Sequence, residues 1–365
     1  MALLEVDDLA VQYDTDDGVV RAVDGISYQI RAGETVGLVG ESGAGKSAAS
    51  LALLRLLEGG EIVSGEIRFR GRDIRALSSD GLRALRGDEI AMVFQDAGAA
   101  LNPVYTVGEQ IAETIRAHED ITDGAARDRT VGLLERVGIP DPATRYAEYP
   151  HEFSGGMQQR AVIAMALACD PALLICDEPT SGLDVTVQAG ILDLLEDLAA
   201  ESETAIQLVT HDLGVVAELC DRVLVQYAGE LVERAPVESL YYDPKHPYTV
   251  GLLAATPRLG DDRERLVTIP GTAPDLAAPP TGCRFHPRCP YAEACCASRR
   301  PPPVESASGT PVDDDPDAHV AACLAYTGDL EGELDYEVQV RDDGNGQTEQ
   351  KHDSRETQSK QGEPR

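Results

Sequence analysis

A phosphate-binding loop near the N-terminus constrains this chain more than any other feature of its sequence. The segment GESGAGKS, residues 40–47, fits the pattern G-x-x-x-x-G-K-[ST]. It lies between an apolar run, ETVGLV, and a run typical of a helix, SAASLALLRLLE. The glycines let successive backbone N–H groups turn towards phosphates, and the helix N-terminus adds a partial positive charge. The sequence therefore predicts a nucleotide site in an α/β fold.

The side chains of this loop predict how the nucleotide is held. Lys46 is expected to reach the β- and γ-phosphates, and the Ser47 hydroxyl to ligate Mg²⁺. A glycine-rich turn that only caps a helix is the alternative. The predicted ligands of ATP in the loop are Gly40, Glu41, Ser42, Gly43, Ala44, Gly45, Lys46 and Ser47.

A second acidic cluster predicts a hydrolytic reaction. The run LLICDE, residues 173–178, is typical of a buried strand that ends in two carboxylates. Ligands of parallel sheets bind at the carboxyl ends of the strands, so these acids are expected beside the loop. Asp177 is predicted to hold Mg²⁺, and Glu178 to orient and deprotonate an attacking water. An ordinary acidic turn before Pro179 is the alternative.

Patterns along the chain predict its organisation. Residues 1–95 indicate mostly strands with turns, 106–165 mostly helices, and 172–235 alternating strands and helices, which favours a parallel α/β sheet. We predict an ATPase domain at 1–235 with a helical insertion at about 96–165. A proline-rich, irregular accessory region is expected at 236–326, and a polar, disordered tail at 327–365.

Charge and hydropathy exclude several classes of protein. The chain has 64 Asp and Glu against 31 Lys and Arg, a net charge of −33 that disfavours nucleic acid as a partner. The acids are spread along the whole length, as in the cytoplasmic proteins of a salt-accumulating halophile, and a halophilic archaeon is the predicted source. The alternative is an acidic tail on an ordinary protein. The longest apolar run has nine residues, whereas a membrane-spanning helix needs about 20. The N-terminus lacks the pattern of a secretory signal.

Further motifs identify the family. The segment FSGGMQQR, residues 153–160, resembles the LSGGQ signature of ABC-type ATPases. The other landmarks of that family follow in order: Tyr13 resembles the aromatic residue that stacks on adenine, Gln95 the Q-loop glutamine, SGLD at 181–184 the D-loop, and His211 the switch histidine. Each landmark alone also fits an ordinary turn, strand or core residue. The resemblance implies an ABC-type P-loop ATPase fold, with a RecA-like parallel sheet core, an antiparallel β subdomain and a helical insertion.

The resemblance also implies a mechanism. Two such domains pair head to tail, and ATP lies between the P-loop of one and the signature of the other. Ser154, Gly155 and Gly156 then face the γ-phosphate of the partner's ATP, with Asp184 beside them. The implied catalytic residues are Glu178, His211 and Gln95, and Gln95 joins Ser47 and Asp177 around Mg²⁺.

Three segments resemble the ATPase subunits of oligopeptide, dipeptide and nickel importers: QDAGAALNPVYTVG at 95–108, YDPKHPYT at 242–249 and GCRFHPRCP at 282–290. The resemblance covers roughly residues 1–326. It implies a peripheral protein on the cytoplasmic face of the cell membrane, with two transmembrane permease subunits, a second ABC ATPase subunit and an extracellular peptide-binding protein. The open alternatives are a soluble ABC-type switch without a membrane partner, and an importer of another cargo such as nickel or sugars.

The cysteines divide into two groups. Cys169, Cys176 and Cys220 lie in apolar or helical contexts and are predicted core residues. The other five lie within 41 residues, and without a signal peptide such clustering favours metal over disulfides. Zinc sites typically use C-x₂₋₄-C pairs, which the four candidate ligands do not form. The resemblance implies a 4Fe–4S cluster on those four, whereas zinc or reduced packing cysteines are the alternatives; Cys295 is left unligated. The four candidate ligands are Cys283, Cys289, Cys296 and Cys323.

Overall fold

The structure of the chain is a computed structural model that describes residues 2–16, 18–201, 203–256, 268–310, 315–332 and 334. The polar tail is predicted to begin at residue 327. Its residues after 334 lie outside the described part of the chain. No helix in the described part of the chain is long and apolar enough to cross a membrane.

The described residues form strands and helices in the following order. The strands are β1 (Ala2–Thr15), β2 (Gly18–Arg31), β3 (Thr35–Val39), β4 (Gly60–Phe69), β5 (Arg72–Asp73), β6 (Ile90–Val93), β7 (Leu173–Asp177), β8 (Ala205–Thr210), β9 (Arg222–Tyr227), β10 (Glu230–Pro236), β11 (Val304–Glu305) and β12 (Val320–Ala321). The helices are α1 (Lys46–Leu53), α2 (Ser79–Leu85), α3 (Ala97–Ala100), α4 (Val107–His118), α5 (Asp123–Arg136), α6 (Pro142–Arg145), α7 (Gly155–Ala166), α8 (Val185–Glu201), α9 (Leu213–Leu219), α10 (Val237–Tyr242) and α11 (Pro247–Ala255). Short 3₁₀ helices lie at Pro150–Glu152, His286–Arg288, Ala294–Ala297 and Leu324–Tyr326.

A parallel sheet forms the centre of the fold. Its strand order is β11-β12-β10-β9-β3-β8-β7-β6, in which β9, β3, β8, β7 and β6 run parallel to one another. Successive residues of a strand face opposite sides of a sheet. In β7, Leu173 and Ile175 pack in the core with α1, whereas Leu174 and Cys176 pack in the core with α7 and α8. The apolar run LLICD is therefore buried on both faces, as the sequence predicts.

A four-stranded antiparallel sheet, in the order β2-β1-β4-β5, covers the face of the parallel sheet that carries α1. Helices α3 to α7 form the block between β6 and β7. Parallel core, antiparallel sheet and helical block together confirm the fold class predicted from the sequence.

The C-terminal region is more regular than its proline content suggests. Helices α10 and α11 follow β10, and the short strand β12 pairs with β10 at Glu233 and Arg234. Strand β11 then pairs with β12, so both strands extend the sheet of the ATPase region. The division into domains at residues 235 and 236 stays a prediction.

Candidate nucleotide-binding and hydrolysis site

The glycines of the P-loop are required by close backbone approaches. Gly45 has φ +100, and a Cβ there would lie 1.9 Å from the carbonyl oxygen of Ala22 on β2. A Cβ on Gly40 would lie 2.1 Å from the carbonyl oxygen of Gln226 on β9. The loop is thus held between the antiparallel sheet and the parallel sheet, and any side chain at these positions would displace it.

Lys46 fills the loop with a buried ammonium. Its Nζ donates to the carbonyl oxygens of Gly40, at 2.8 Å, and Glu41, at 3.1 Å. Lys46 is only 5% exposed, and burial lowers its pKa while the nearby carboxylates of Glu178, Asp177 and Glu41 oppose that shift. A desolvated ammonium inside a ring of amides is arranged to bind phosphate oxygens, which would replace its bonds to the carbonyls.

Asp177 and Ser47 fit the chemistry of Mg²⁺. Asp177 ends β7, is 6% exposed, and hydrogen-bonds the Ser47 hydroxyl. Among the described residues, its Oδ1 is buried without a hydrogen-bond partner. Burial is the main cause that raises the pKa of Asp177, and the Ser47 bond opposes it. Asp177 Oδ1 is a buried carboxylate oxygen that accepts no hydrogen bond from the described part of the chain, and it lies on the same side chain that contacts the Ser47 hydroxyl. A hard cation such as Mg²⁺ binds oxygen ligands of this kind.

Glu178 brings together the predicted catalytic residues. Its Oε2 accepts from Gln95 Nε2 at 2.9 Å, and its Oε1 lies 3.2 Å from His211 Nδ1. The residue has φ +47, an uncommon conformation for a residue with a side chain. Its backbone N–H donates to Val209 of β8 at 2.8 Å. Three residues that are far apart in sequence thus meet at the carboxyl ends of β6, β7 and β8. Gln95 contacts Glu178, and none of its described contacts is with Ser47 or Asp177.

The signature segment lies on the surface and begins a helix. Ser154 is the N-cap of α7, and its Oγ accepts from the Met157 N–H at 3.3 Å. Both Ser154 and Gly155 are exposed. A Cβ on Gly156 would lie 2.5 Å from a methyl group of Val187 on α8, so glycine permits the signature to contact α8.

The D-loop aspartate immediately precedes that neighbouring helix. Asp184 accepts from the Val187 N–H through Oδ1 at 3.1 Å and is exposed. Ser154, Gly155 and Asp184 are thus all exposed, and the signature glycines lie against Leu183 and Val187 on either side of Asp184.

Tyr13 lies on β1, half-buried, with its ring against Gly60 of β4. A Cβ on Gly60 would lie 2.6 Å from that ring, and burial raises the pKa of Tyr13. The strand belongs to the sheet that contacts the P-loop through Ala22. Within the described part of the chain, the ring of Tyr13 lies against Gly60 rather than against the loop, and its role against adenine stays a prediction.

The four candidate cysteine ligands meet around one cavity in the C-terminal region. Cys283, Cys289, Cys296 and Cys323 all line it, together with Phe285 and three leucines. Burial raises the pKa of Cys283 to about 12 and that of Cys323 to about 11. Within the described residues, no group of three or more His, Cys, Asp or Glu is arranged to hold a single metal ion.

The other cysteines lie apart from that cavity. Cys295 is not among the lining residues, and its thiol contacts the carbonyl oxygen of Asp329 at 3.6 Å. Cys169, Cys176 and Cys220 are buried, as the sequence predicts.

Two residues that contact the P-loop were not predicted from the sequence. Arg288 forms an ion pair with Glu41, and Tyr248 accepts from the Glu41 backbone N–H at 2.8 Å. Tyr248 lies in YDPKHPYT and Arg288 in GCRFHPRCP, two segments in which the sequence indicated only the family resemblance and the cysteine ligands. The sequence signal for Arg288 was weak, because its segment GCRFHPRCP also contains Arg284 and His286.

Comparisons with known proteins agree with this geometry. Residues 23–181 match the family described as ABC transporter, and residues 232–296 match the oligopeptide/dipeptide transporter C-terminal region. The dipeptide transport ATP-binding protein DppD of Escherichia coli K12 is 48% identical over 302 residues, 82% of this chain and 92% of DppD. The oligopeptide transport ATP-binding protein OppD of Salmonella typhimurium is 49% identical over 306 residues, 84% of this chain and 91% of OppD.

Solved structures also share the fold. A dimeric ATP-binding cassette in a post-hydrolysis state, bound to ADP and Pi, is 26% identical. It aligns with a TM-score of 0.59 over 64% of this chain and 98% of its own. A subunit of the cbiONQ ABC transporter complex from Clostridium perfringens aligns with a TM-score of 0.58 at 29% identity, covering 66% of this chain and 91% of its own.

Proposed function

The chain belongs to the ABC transporter family and carries the C-terminal region of its oligopeptide and dipeptide transporters, and from this membership we propose that it hydrolyses ATP to power peptide import through a membrane permease. The observation that carries the proposal is the meeting of Gln95, Glu178 and His211 beside the buried Lys46 and Asp177. These groups supply a base, its positioning partners, and charges for a triphosphate at one sheet edge.

Each group of the site has a role in this proposal. Lys46 and the loop amides bind the phosphates, whereas Ser47 and Asp177 would hold Mg²⁺, which neutralises phosphate charge when bound. Glu178 accepts a proton from the attacking water, and Gln95 holds one of its carboxylate oxygens in place. His211 is 66% exposed at its side chain and so remains free to contact the γ-phosphate.

A second ATPase subunit completes the site in the proposal. Ser154, Gly155 and Asp184 lie exposed, and a helix N-terminus with free amides is suited to phosphate. The related post-hydrolysis cassette is a dimer. We infer that the exposed signature of one subunit faces the ATP of the other.

The permease is expected to dock near the Q-loop. Phe94, Val104 and Tyr105 are large apolar side chains that are 42%, 71% and 54% exposed, close in sequence to Gln95. Large apolar side chains that remain exposed within 12 residues of sequence are suited to a contact with another protein. This placement favours a peripheral subunit on the cytoplasmic face over a soluble switch without a membrane partner. The names of DppD and OppD favour peptides over nickel or sugars as the cargo.

Reconstitution tests this function directly. We expect the chain to co-purify in detergent with two permease subunits encoded beside its gene. In liposomes, ATP turnover of that complex should rise when a peptide and its binding protein are added outside. Val104→Asp tests the docking surface. It should weaken association with the permease, while the isolated variant binds ATP as the wild type does. A chain that never associates with a permease would support the soluble switch instead.

We further propose that the cysteine cavity holds a 4Fe–4S cluster on Cys283, Cys289, Cys296 and Cys323. What supports this is the donor set: four thiols around one apolar cavity suit a soft metal centre. Bound metal would stabilise the thiolates that burial disfavours and would crosslink a region with few aliphatic residues. Such a cluster supplies a structural crosslink, and no step of ATP hydrolysis depends on it.

Elemental analysis distinguishes the cluster from its alternatives. Anaerobically purified protein should contain about four iron and four sulfide per chain and absorb visible light. Cys289→Ser should lose most of the iron, whereas Cys295→Ser, its matched control outside the cavity, should keep it. One zinc per chain, or metal-free protein, would contradict the proposal.

The acidic surface supports a last proposal, that the chain works in molar salt, as in a halophilic archaeon. With a net charge of −33, the carboxylates of the chain repel one another strongly in dilute buffer. At about 1 M salt the Debye length falls to about 3 Å, and that repulsion is screened.

A further inference from the structure

The C-terminal region contacts the P-loop of the ATP site at Glu41. Its carboxylate accepts two bonds from the Arg288 guanidinium, at 2.7 and 3.0 Å. Its backbone N–H donates to the Tyr248 hydroxyl at 2.8 Å. Such a two-bonded arginine pair fixes orientation as well as charge. Arg288 and Tyr248 both lie in the region shared with oligopeptide and dipeptide transporters, residues 232–296.

Arg288 is fixed by contacts other than its ion pair with Glu41. It is 8% exposed, its Nε donates to the Pro270 carbonyl at 2.8 Å, and its Nη1 lies 3.3 Å from the Tyr227 hydroxyl. The rings of Tyr227 and Tyr248 pack at 4.5 Å between centroids. The guanidinium is therefore fixed by an aromatic cluster of the C-terminal region and the end of β9, and little rotational freedom is lost when it binds Glu41.

The Glu41 carboxylate lies where negative charge opposes ATP binding. Glu41 is the second residue of the loop that is arranged for a triphosphate, and its charge also acts on Lys46. An unpaired carboxylate there would repel the phosphates and compete for the Lys46 ammonium. Paired with Arg288, the carboxylate is neutralised by the guanidinium.

We propose that Arg288 and Tyr248 are positioning residues for ATP: by holding Glu41 they set the shape and the charge of the P-loop, so ATP affinity depends on the docked C-terminal region. The proposal rests on the ATPase function above and adds a route by which that region regulates it. Both residues act on ATP binding through Glu41 in this proposal.

The test measures the dissociation constant of ATP with Mg²⁺ by calorimetry on full-length variants in high salt. Arg288→Ala should raise it at least about tenfold, since truncating one partner leaves a charge unpaired. The double variant Arg288→Ala, Glu41→Gln should recover to within about threefold of wild type, because the stranded charge is gone. A purely structural role for Arg288 predicts no such recovery, and that result would overturn the proposal.

Arg284→Ala is the matched control for loss of packing. Arg284 is 5% exposed, lies in the same segment, and pairs with Asp24 and Glu230 rather than with the P-loop. It should lower the melting temperature and leave ATP affinity within about twofold of wild type. Equal weakening by Arg284→Ala and Arg288→Ala would overturn the proposal.

A conservative variant and the wild-type protein separate a failure to fold from a failure of the proposal. If Arg288→Ala does not fold, Arg288→Lys replaces it: an ammonium lacks the planar fork that makes two parallel bonds, so affinity should fall several-fold and Glu41→Gln should restore it. Wild-type protein that binds no ATP would refute the proposed function itself. Wild-type protein that binds ATP as tightly as Arg288→Ala would refute only the positioning role.

Discussion

Glu178→Gln should leave ATP binding nearly intact and reduce ATP turnover by at least about 100-fold, the usual contribution of a general base. Glutamine keeps the size of the side chain and an oxygen that accepts from Gln95 Nε2, so the geometry at the end of β7 survives. Mg²⁺ is expected to bind as before, because Ser47 and Asp177 are unchanged. Only the proton acceptor for water is lost.

Turnover and ATP-dependent dimerisation should be measured on the same protein. The variant is expected to accumulate as an ATP-bound dimer, because hydrolysis no longer separates the two subunits. Lys46→Ala is the contrasting control: without the buried ammonium between the Gly40 and Glu41 carbonyls it should fail to bind ATP or dimerise. Turnover of Glu178→Gln close to wild type would exclude Glu178 as the base.

The parts of the site that the sequence predicted are those with local causes. Glycines, lysine and serine at residues 40–47 require a strand before and a helix after, and β3 and α1 lie there. The run LLICD has the apolar pattern of a strand buried on both faces, which places Asp177 at the sheet edge. The order of strands in a parallel sheet then brings the ends of β3, β7 and β8 together.

The contacts that the sequence did not predict are distant and have no local pattern. Arg288 and Glu41 are 247 positions apart, and an arginine between two cysteines has no spacing that predicts its partner. The pairing of β12 with β10 likewise joins strands of two residues and seven residues, and a two-residue strand has no detectable periodicity. Such contacts follow only from the docking of the whole C-terminal region.

Helix α8 shows how the acidic composition acts on the folded chain. One face buries Ile191, Leu195 and Leu198 in the core, while Asp193, Glu196 and Asp197 are exposed on the other. These acids lie three and four positions apart, and like charges at that spacing repel. The helix contains no Lys or Arg to offset them. Since Asp184 immediately precedes α8 and Gly156 lies against Val187 of α8, the stability of this helix bears on the D-loop and the signature.

The melting temperature should therefore fall by at least about 10 °C between 3 M and 0.01 M KCl, which is roughly 7–8 kcal/mol at an unfolding entropy of about 2.1 cal/mol/K per residue. The Debye length grows from below about 3 Å to about 30 Å over that range, so carboxylates repel one another across the whole surface. Circular dichroism at 222 nm measures the transition, and sucrose at matched osmolality is the control that stabilises without screening charge. Asp197→Lys should lower the KCl concentration required, because its pairing with Asp193 becomes attractive. A melting temperature independent of KCl, or one that sucrose restores fully, would refute adaptation to salt through charge screening.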